Sequence, residues 1–530
     1  MDKNRLGVMV DCSRNAVMTV DTAKSFIDTL SKMGYNMLML YTEDTYEVDN
    51  QPWFGYLRGR YSKDELKEIV KYGEEKGVEL IPCIQTLAHL NQLLRWYKYD
   101  EVRDCDDILL IDEPKTYELI EDMFRTVREC YKTDYIHIGM DEAHNVGLGK
   151  HLDRHGFCNR FELLGRHLNK VAKLAEKYGF KPIMWSDMFF RLANNGVYDT
   201  NDPEIITEDI KNQVPDNVEL CYWDYCKRTR EPYEIMIETH KRFERPIWFA
   251  GGAWMWKGFS PDNEISITRT AAAVSACKNK SLTNVFITCW GDDGAESPYF
   301  SVLPTLFYAA EAFRGNDDLK DIKSKFEAMF GIGFDDFCTV DLPSKLIDES
   351  HILARNPDKV MLYNDPFLGI YDKMLFEDDR EIKHYKKVSR KLKPLCDNEN
   401  FGYIFRSSKA LCDLLAVKYT LGRDTRIAYL SSEKQAVLEI ADRYKKAIRL
   451  LDAFIKEFKA CWLKEKKPHG FDVQDIRLGG LRQRLVSCRE RLLQYANGEI
   501  DRIEELEEPQ HYVDGLWFTN WRQNASANNI

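Results

Sequence analysis

The sequence predicts an α/β protein: a closed (β/α)8 TIM barrel followed by an α-helical carboxyl-terminal domain. Three observations point there. Eight β-rich apolar runs fall within roughly 300 residues, amphipathic stretches ending in glycine or a basic residue separate them, and the β-rich character vanishes past Asn316.

Taken in order, the first strand is expected over 6–12, and a stripe of Ala23, Ile27 and Leu30 follows with helical spacing until Gly34 stops it. The second and third strands are expected over 35–42 and 78–85. After them Tyr117, Ile120, Phe124, Val127 and Tyr131 mark another helical face. The remaining strands read as 135–140, 181–185, 218–223, 246–250 and 284–289. Eight parallel strands can also form an open doubly wound sheet, but no glycine-rich phosphate loop follows the first strand, so the closed barrel is preferred. Beyond 316, charged stretches with helical spacing take over, notably 434–463 and 481–495. The chain therefore divides into a barrel over 1–315 and a helical domain over 316–530. Pro343, Pro357 and Pro366 punctuate the transition, as irregular packing rather than a free linker. The aromatic tail over 517–521 is too apolar to stay solvated and is expected to dock on a neighbouring surface.

A 44% hydrophobic share with 12% aromatics suffices for a large core, and the formal charge of −11 repels phosphate backbones, which argues against nucleic acid as a partner. No apolar run reaches the roughly 18 residues of a membrane span, so no membrane partner is expected. The opening residues lack the features of an export signal, and fourteen cysteines lie scattered without a Cys-x-x-Cys pair, several inside apolar runs. Both features fit a cytoplasmic protein with reduced thiols.

In such a barrel the chemistry sits where the strands end. The expected ends are Asp11 to Arg14, then Glu43 and Asp44, His89, and His137 through Asp141 and Glu142 to His144. The later ends are Trp185 with Asp187, Trp223 with Tyr225, Trp254 with Trp256, and Trp290 with Asp292 and Glu296. Acids and an arginine grip hydroxyls, and indole faces stack on the apolar C–H face of a pyranose, so this rim suits a neutral carbohydrate. Any one tryptophan is more simply a core residue; their gathering at strand ends favours a pocket. The adjacent Asp141 and Glu142 are the sharpest signal, because glycoside cleavage needs two carboxyls in different ionisation states. Side chains alternate along a strand, so both can face one pocket only where the strand ends and curls.

The run His137-Ile-Gly-Met-Asp141-Glu142 resembles the histidine-x-glycine-x-aspartate-glutamate signature of glycoside hydrolase family 20, the β-N-acetylhexosaminidases. The segment from Asp11 to Arg14 resembles that family's sugar-gripping arginine segment, and the Trp185, Trp223 to Tyr225, Trp254 and Trp290 segments resemble its pocket-forming strand ends. With its helical carboxyl-terminal region, the chain is similar to a bacterial subgroup that includes streptococcal N-acetyl-β-glucosaminidases. Met140 departs from the small residue common at its position, and the small α/β domain that often precedes the barrel is not seen.

The resemblance implies an exo-acting enzyme hydrolysing terminal β-linked N-acetylglucosamine or N-acetylgalactosamine with retention, by attack of the substrate's own acetamido oxygen through an oxazolinium intermediate. Glu142 is expected as general acid and then base, Asp141 as partner of the acetamido N–H, and Tyr225 as partner of its oxygen. Arg14, His89, Trp185, Trp223, Trp254, Trp290, Asp292 and Glu296 are expected to bind the sugar; spacing does not choose between Asp292 and Glu296. His137 and His144 read as supporting residues. No metal and no cofactor is implied. The helical region is expected either to pair subunits as a homodimer or to shape the leaving-group side. Two other readings stand: a glycosidase acting on O-linked N-acetylglucosamine, which usually carries an adjacent Asp-Asp pair, and a non-catalytic sugar-binding module on the same barrel.

Overall fold

A computed structural model describes residues 4–346, 357–513, 520–526 and 528. Eight parallel strands close into a barrel: β1 (Arg5–Asp11), β2 (Met37–Tyr41), β3 (Glu79–Cys83), β4 (Tyr135–His137), β5 (Lys181–Trp185), β6 (Glu219–Trp223), β7 (Ile247–Gly252) and β8 (Asn284–Cys289). Neighbours in sequence are neighbours in the sheet, and β8 returns to β1 with Arg5 opposite Asn284 and Val10 opposite Cys289. All eight expected strands form, most of them with slightly tighter ends. Strand β4 departs furthest, stopping at His137 instead of running to Met140.

The strands form where hydrophobic runs can be buried on both faces, as a helix-jacketed parallel sheet requires; Val8, Met9 and Val10 in β1 are all fully enclosed. The barrel interior is filled by Met9, Met39, Tyr41, Ile81, Trp185, Trp248 and Phe286 among others. The intervening helices obey local signals. Helix α1 (Val20–Met33) starts at Thr19, whose side chain accepts the N–H of Thr22, and ends at Gly34 in the left-handed conformation with φ 87°. Helix α2 (Lys63–Glu75) opens with a capping box between Ser62 and Glu65. Helix α3 (Pro114–Cys130) places proline at its first position and buries Ile120, Phe124 and Val127, the stripe expected from the sequence.

The chain packs as two compact units. One takes Met1–Ala253, Ile265–Trp290 and Thr305–Ile322; the other takes Trp254–Glu264, Gly291–Pro304 and Lys323–Ile530. The division is thus not a single cut near 315, because the segments following β7 and β8 count with the second unit. Within that unit the long helices Lys434–Glu465 and Phe471–Asn497 follow one another, and Phe471 packs on Phe458 and Trp462 at ring separations of 5.7 and 5.6 Å. Pro343 lies in a tight 3-10 turn, Cys338–Ser344, and Pro357 starts the helix Pro357–Tyr363; the residues between, 347–356, lie outside the described set. Of the aromatic tail, 517–519 also lie outside it. Trp521 is described and docks inside its own unit: its backbone N–H donates to Asp293 Oδ2 at 2.7 Å, and the Arg477 guanidinium sits 5.2 Å from its ring. Among the described residues no helix is long and apolar enough to cross a membrane, and Cys83, Cys130, Cys277 and Cys289 are buried free thiols.

Candidate active site

Two neighbouring carboxylates can share one pocket only if the backbone turns between them, and beyond β4 it does. Gly139, Met140 and Glu142 all have positive φ, at 72°, 72° and 49°. For Met140 and Glu142 this is a strained conformation that the surroundings must hold in place. Gln85, just past the end of β3, provides much of the hold. Its side-chain oxygen accepts the N–H of Met140 at 3.1 Å, and its amide donates to Asp141 Oδ1 at 2.7 Å and to the Tyr41 hydroxyl at 2.9 Å. Asp187, two residues past β5, adds to it: its Oδ2 accepts the N–H of Glu142 at 3.1 Å and the Nε–H of Arg191 at 3.1 Å.

The two carboxylates differ in setting. Asp141 is largely enclosed, its side chain 13% exposed, whereas that of Glu142 is 41% exposed. His89 Nε2 lies 3.1 Å from Asp141 Oδ2 and 3.7 Å from Glu142 Oε2, and Arg191 reaches within 3.7 Å of Glu142 Oε1. Burial by itself raises the Asp141 pKa, but the charge of His89 and the hydrogen bonds to Asp141 outweigh it and hold the carboxyl down at about 2. Burial likewise opposes charging of His89, yet Asp141 and Glu43 overcome it and lift the imidazole to about 10. At neutral pH the two form an ion pair. Asp187 goes the other way: full burial and the nearby Asp141 charge push its carboxyl up to about 7.

Arg14 and His89 occupy the same electrostatic web. Arg14 Nη1 pairs with Glu43 at 2.7 Å, Tyr41 donates to that same Glu43 oxygen at 3.2 Å, and Asp11 accepts from the backbone and hydroxyl of Ser13 at 2.8 and 2.7 Å. Asp44 is buried against Arg58. From Tyr41 the aromatic wall continues: its ring meets Trp290 edge-on at 4.8 Å, Trp290 donates its indole N–H to the Tyr225 hydroxyl at 2.8 Å, and Trp223 lies nearly parallel to Tyr225 at 5.4 Å. Asp141, Tyr225, Trp223 and Trp290 are thus linked through Gln85 and Tyr41 without a gap. Trp185 lies deeper. It is fully buried within the barrel core, 4.4 Å from the His137 ring and 6.0 Å from Trp290, as an ordinary core aromatic would be. His137 is enclosed too, accepts the Gly139 N–H at 3.2 Å, and is kept neutral by burial, its pKa pushed down to about 3. His144 is exposed and touches the turn through its backbone, donating to the Glu142 carbonyl at 2.6 Å.

The remaining expected residues belong to the second unit. Trp254 packs on Trp256 at 5.2 Å with Lys257 4.5 Å from its ring. Asp292 is exposed, whereas Glu296 is buried and committed to Lys359 at 2.8 Å and Arg477 at 3.1 Å. Glu296 therefore differs from its expected role: two buried cations hold its carboxylate. Sequence reasoning did not single out Gln85, Tyr41, Asp187 or Arg191 as site residues. Gln85 closes the third expected strand and Asp187 stands at the end of the fifth, so position alone flagged them; Arg191 follows Asp187 at i+4 on the helix Asp187–Ala193.

Residues 5–224 match the family profile described as "Glycosyl hydrolase family 20, catalytic domain", and residues 335–520 match "Glycoside Hydrolase 20C C-terminal domain". Among curated proteins, Hexosaminidase D of Bos taurus is 23% identical over 342 residues, which take in 57% of this chain and 89% of that protein. Hexosaminidase D of Homo sapiens is 22% identical over 325 residues, 57% of this chain but only 64% of its own length. Among solved structures, the Flavobacterium johnsoniae chitobiase aligns with a TM-score of 0.49 at 17% identity, covering 96% of this chain and 74% of that one. The Vibrio harveyi GH20 exo-β-N-acetylglucosaminidase in complex with N-acetylglucosamine aligns at 0.48 and 14%, covering 64% and 59%. The bovine and human relatives do not carry the narrower likeness to a streptococcal bacterial subgroup.

Proposed function

Because the chain belongs to glycoside hydrolase family 20, we propose that this glycosidase is an exo-β-N-acetylhexosaminidase that removes terminal, non-reducing β-linked N-acetylglucosamine with the help of the substrate's own acetamido group. The observation that carries the reading is the left-handed turn from Gly139 to Glu142, which sets an enclosed, ionised Asp141 beside an open Glu142 at the edge of an aromatic wall.

In the first step the acetamido oxygen attacks the anomeric carbon, the bond to the leaving oxygen breaks, and Glu142 gives that oxygen its proton. Asp141 accepts the acetamido N–H and balances the positive charge of the oxazolinium ion, while Tyr225 donates to the acetamido oxygen and orients it. In the second step Glu142 takes a proton from water as the hydroxide equivalent adds to the anomeric carbon and the bond from that carbon to the acetamido oxygen breaks, restoring the acetamido group, so two inversions leave the β configuration. Trp223 and Trp290 wall the acetamido methyl, and Arg14 with Glu43 receives ring hydroxyls. Asp141 suits its part because its charge is already fixed by His89 and Gln85, so no reorganisation is needed when the cation forms.

Turnover of chromogenic β-N-acetylglucosaminide and β-N-acetylgalactosaminide tests the reading and ranks the two sugars. Glu142→Gln should lose about 10² to 10⁴ in rate on glycosides with poor leaving groups while keeping good ones. Asp141→Asn should slow every substrate that bears an acetamido group. A thiazoline mimic of the cyclic intermediate should bind far tighter than substrate. Wild-type rates in both variants would overturn the assignment.

A further inference from the structure

We propose that the exposed Trp53 and Tyr56, with the half-buried Trp96 beside them, form a stacking platform for a pyranose ring on the leaving-group side of the scissile bond, an inference that rests on the glycosidase reading above. The three rings touch one another: Trp53 lies 4.9 Å from Tyr56 and 5.1 Å from Trp96, and Tyr56 lies 5.9 Å from Trp96. Yet the cluster is open to solvent, with Trp53 39% and Tyr56 42% exposed and their neighbour Leu57 72% exposed. Large aromatics left in water at this density on one patch mark a binding surface.

Its two arms leave the barrel at the ends of β2 and β3, and each is tied to the catalytic web. On the first arm Arg58 reaches back to Asp44 Oδ1 at 3.0 Å, Asn15 Oδ1 at 2.7 Å and the Ser13 carbonyl at 2.5 Å, so the loop bearing Trp53 and Tyr56 is pinned beside Arg14 and Glu43. Gly55, Leu57 and Gly59 all have positive φ, and a Cβ at Gly55 would meet the Asp44 carbonyl at 2.0 Å. The loop is therefore held in one costly shape rather than left loose. The second arm begins at His89, which lies beside both Asp141 and Glu142, and leads through the short helix Asn91–Leu94 to Trp96.

This continuity fixes the occupant. The terminal sugar is assigned to the wall of Tyr225, Trp223 and Trp290, and Glu142 must face the leaving oxygen. The loop that starts at the histidine beside Glu142 therefore points to where the next sugar goes. Indole and phenol rings present an apolar face with a polar edge, which matches the C–H face and rim hydroxyls of a pyranose better than an all-apolar partner.

The test compares two substrates that share the terminal sugar. β-N-acetylglucosaminyl fluoride expels only fluoride, whereas N,N′-diacetylchitobiose expels a sugar ring. Trp53→Ala and Tyr56→Ala, singly and together, should lower kcat/KM on the disaccharide about tenfold through KM and leave the fluoride unchanged. Equal losses on both substrates, or none on either, overturn the platform. So does a variant that changes sedimentation from dimer to monomer with disaccharide turnover intact, since the patch would then be a self-association face. Failure of the unmodified enzyme on both substrates sinks the glycosidase reading itself, and the platform with it.

Discussion

At the scale of single residues, the site works by sorting carboxyl groups. Asp141 is held ionised by His89, and Asp187 is pushed towards protonation by the same burial that Asp141 survives. The pH behaviour follows from these directions. Asp141 is depressed below its ordinary 3.8, so the stability it contributes is present above that value and lost as pH falls through about 2. His89 is raised above 6.5, so the same pair is fully effective below that value and lost as pH rises through about 10. His89→Asn should therefore shift the acidic limb of kcat/KM to higher pH, because Asp141 loses the cation that keeps it charged; an unmoved limb in the pH–rate profile would refute this. Asp187 has the opposite sign. Its folded carboxyl is raised from 3.8 to about 7, so its contribution to stability declines as pH climbs through that window. Asp187→Asn should remove that decline, measured as urea midpoints at pH 5 and pH 8.

At the scale of elements, the decisive feature is where β4 stops. Had it run on to Met140, alternation would have sent Asp141 and Glu142 to opposite faces. Ending at His137 and turning through Gly139 lets both face one mouth, and the turn is crowded: a Cβ at Gly139 would lie 2.1 Å from Gln85 Oε1 and 2.9 Å from the Ile84 carbonyl. Gly139→Ala should thus cost about 1 to 3 kcal/mol in stability, with a larger proportional loss of kcat, read by urea denaturation beside single-substrate kinetics. The stripe of Ile120, Phe124 and Val127 and the stop at Gly34 were legible because helix period and capping are local properties. The end of β4 was not, since it depends on Gln85, a residue far away in sequence just beyond the end of β3.

At the scale of the whole chain, buried charges are gathered from segments far apart in sequence. In the second unit Lys359 is fully enclosed and pairs with Glu296 at 2.8 Å and Asp293 at 3.2 Å, and Arg477 adds 3.0 and 3.1 Å contacts to the same two acids. Removing one partner of such a cluster strands a charge in low dielectric, so Lys359→Met should destabilise by about 3 to 5 kcal/mol, with a lowered denaturation midpoint as the readout. A loss under 1 kcal/mol would mean that Arg477 alone suffices. The expectation that Glu296 binds sugar came from its place after β8, and it failed to foresee this cluster because Lys359 and Arg477 are distant in sequence.

The amino-acid sequence alone determined the alternation of strands and helices, the strand-end position of the acids and the aromatic inventory, because periodicity, capping and composition act between near neighbours in the chain. Only the tertiary structure decided which acid is ionised, which tryptophan is core and which carboxylate is consumed by an ion pair. Those outcomes depend on burial and on charges brought together from separate strands, and neither distance nor desolvation can be read from linear order.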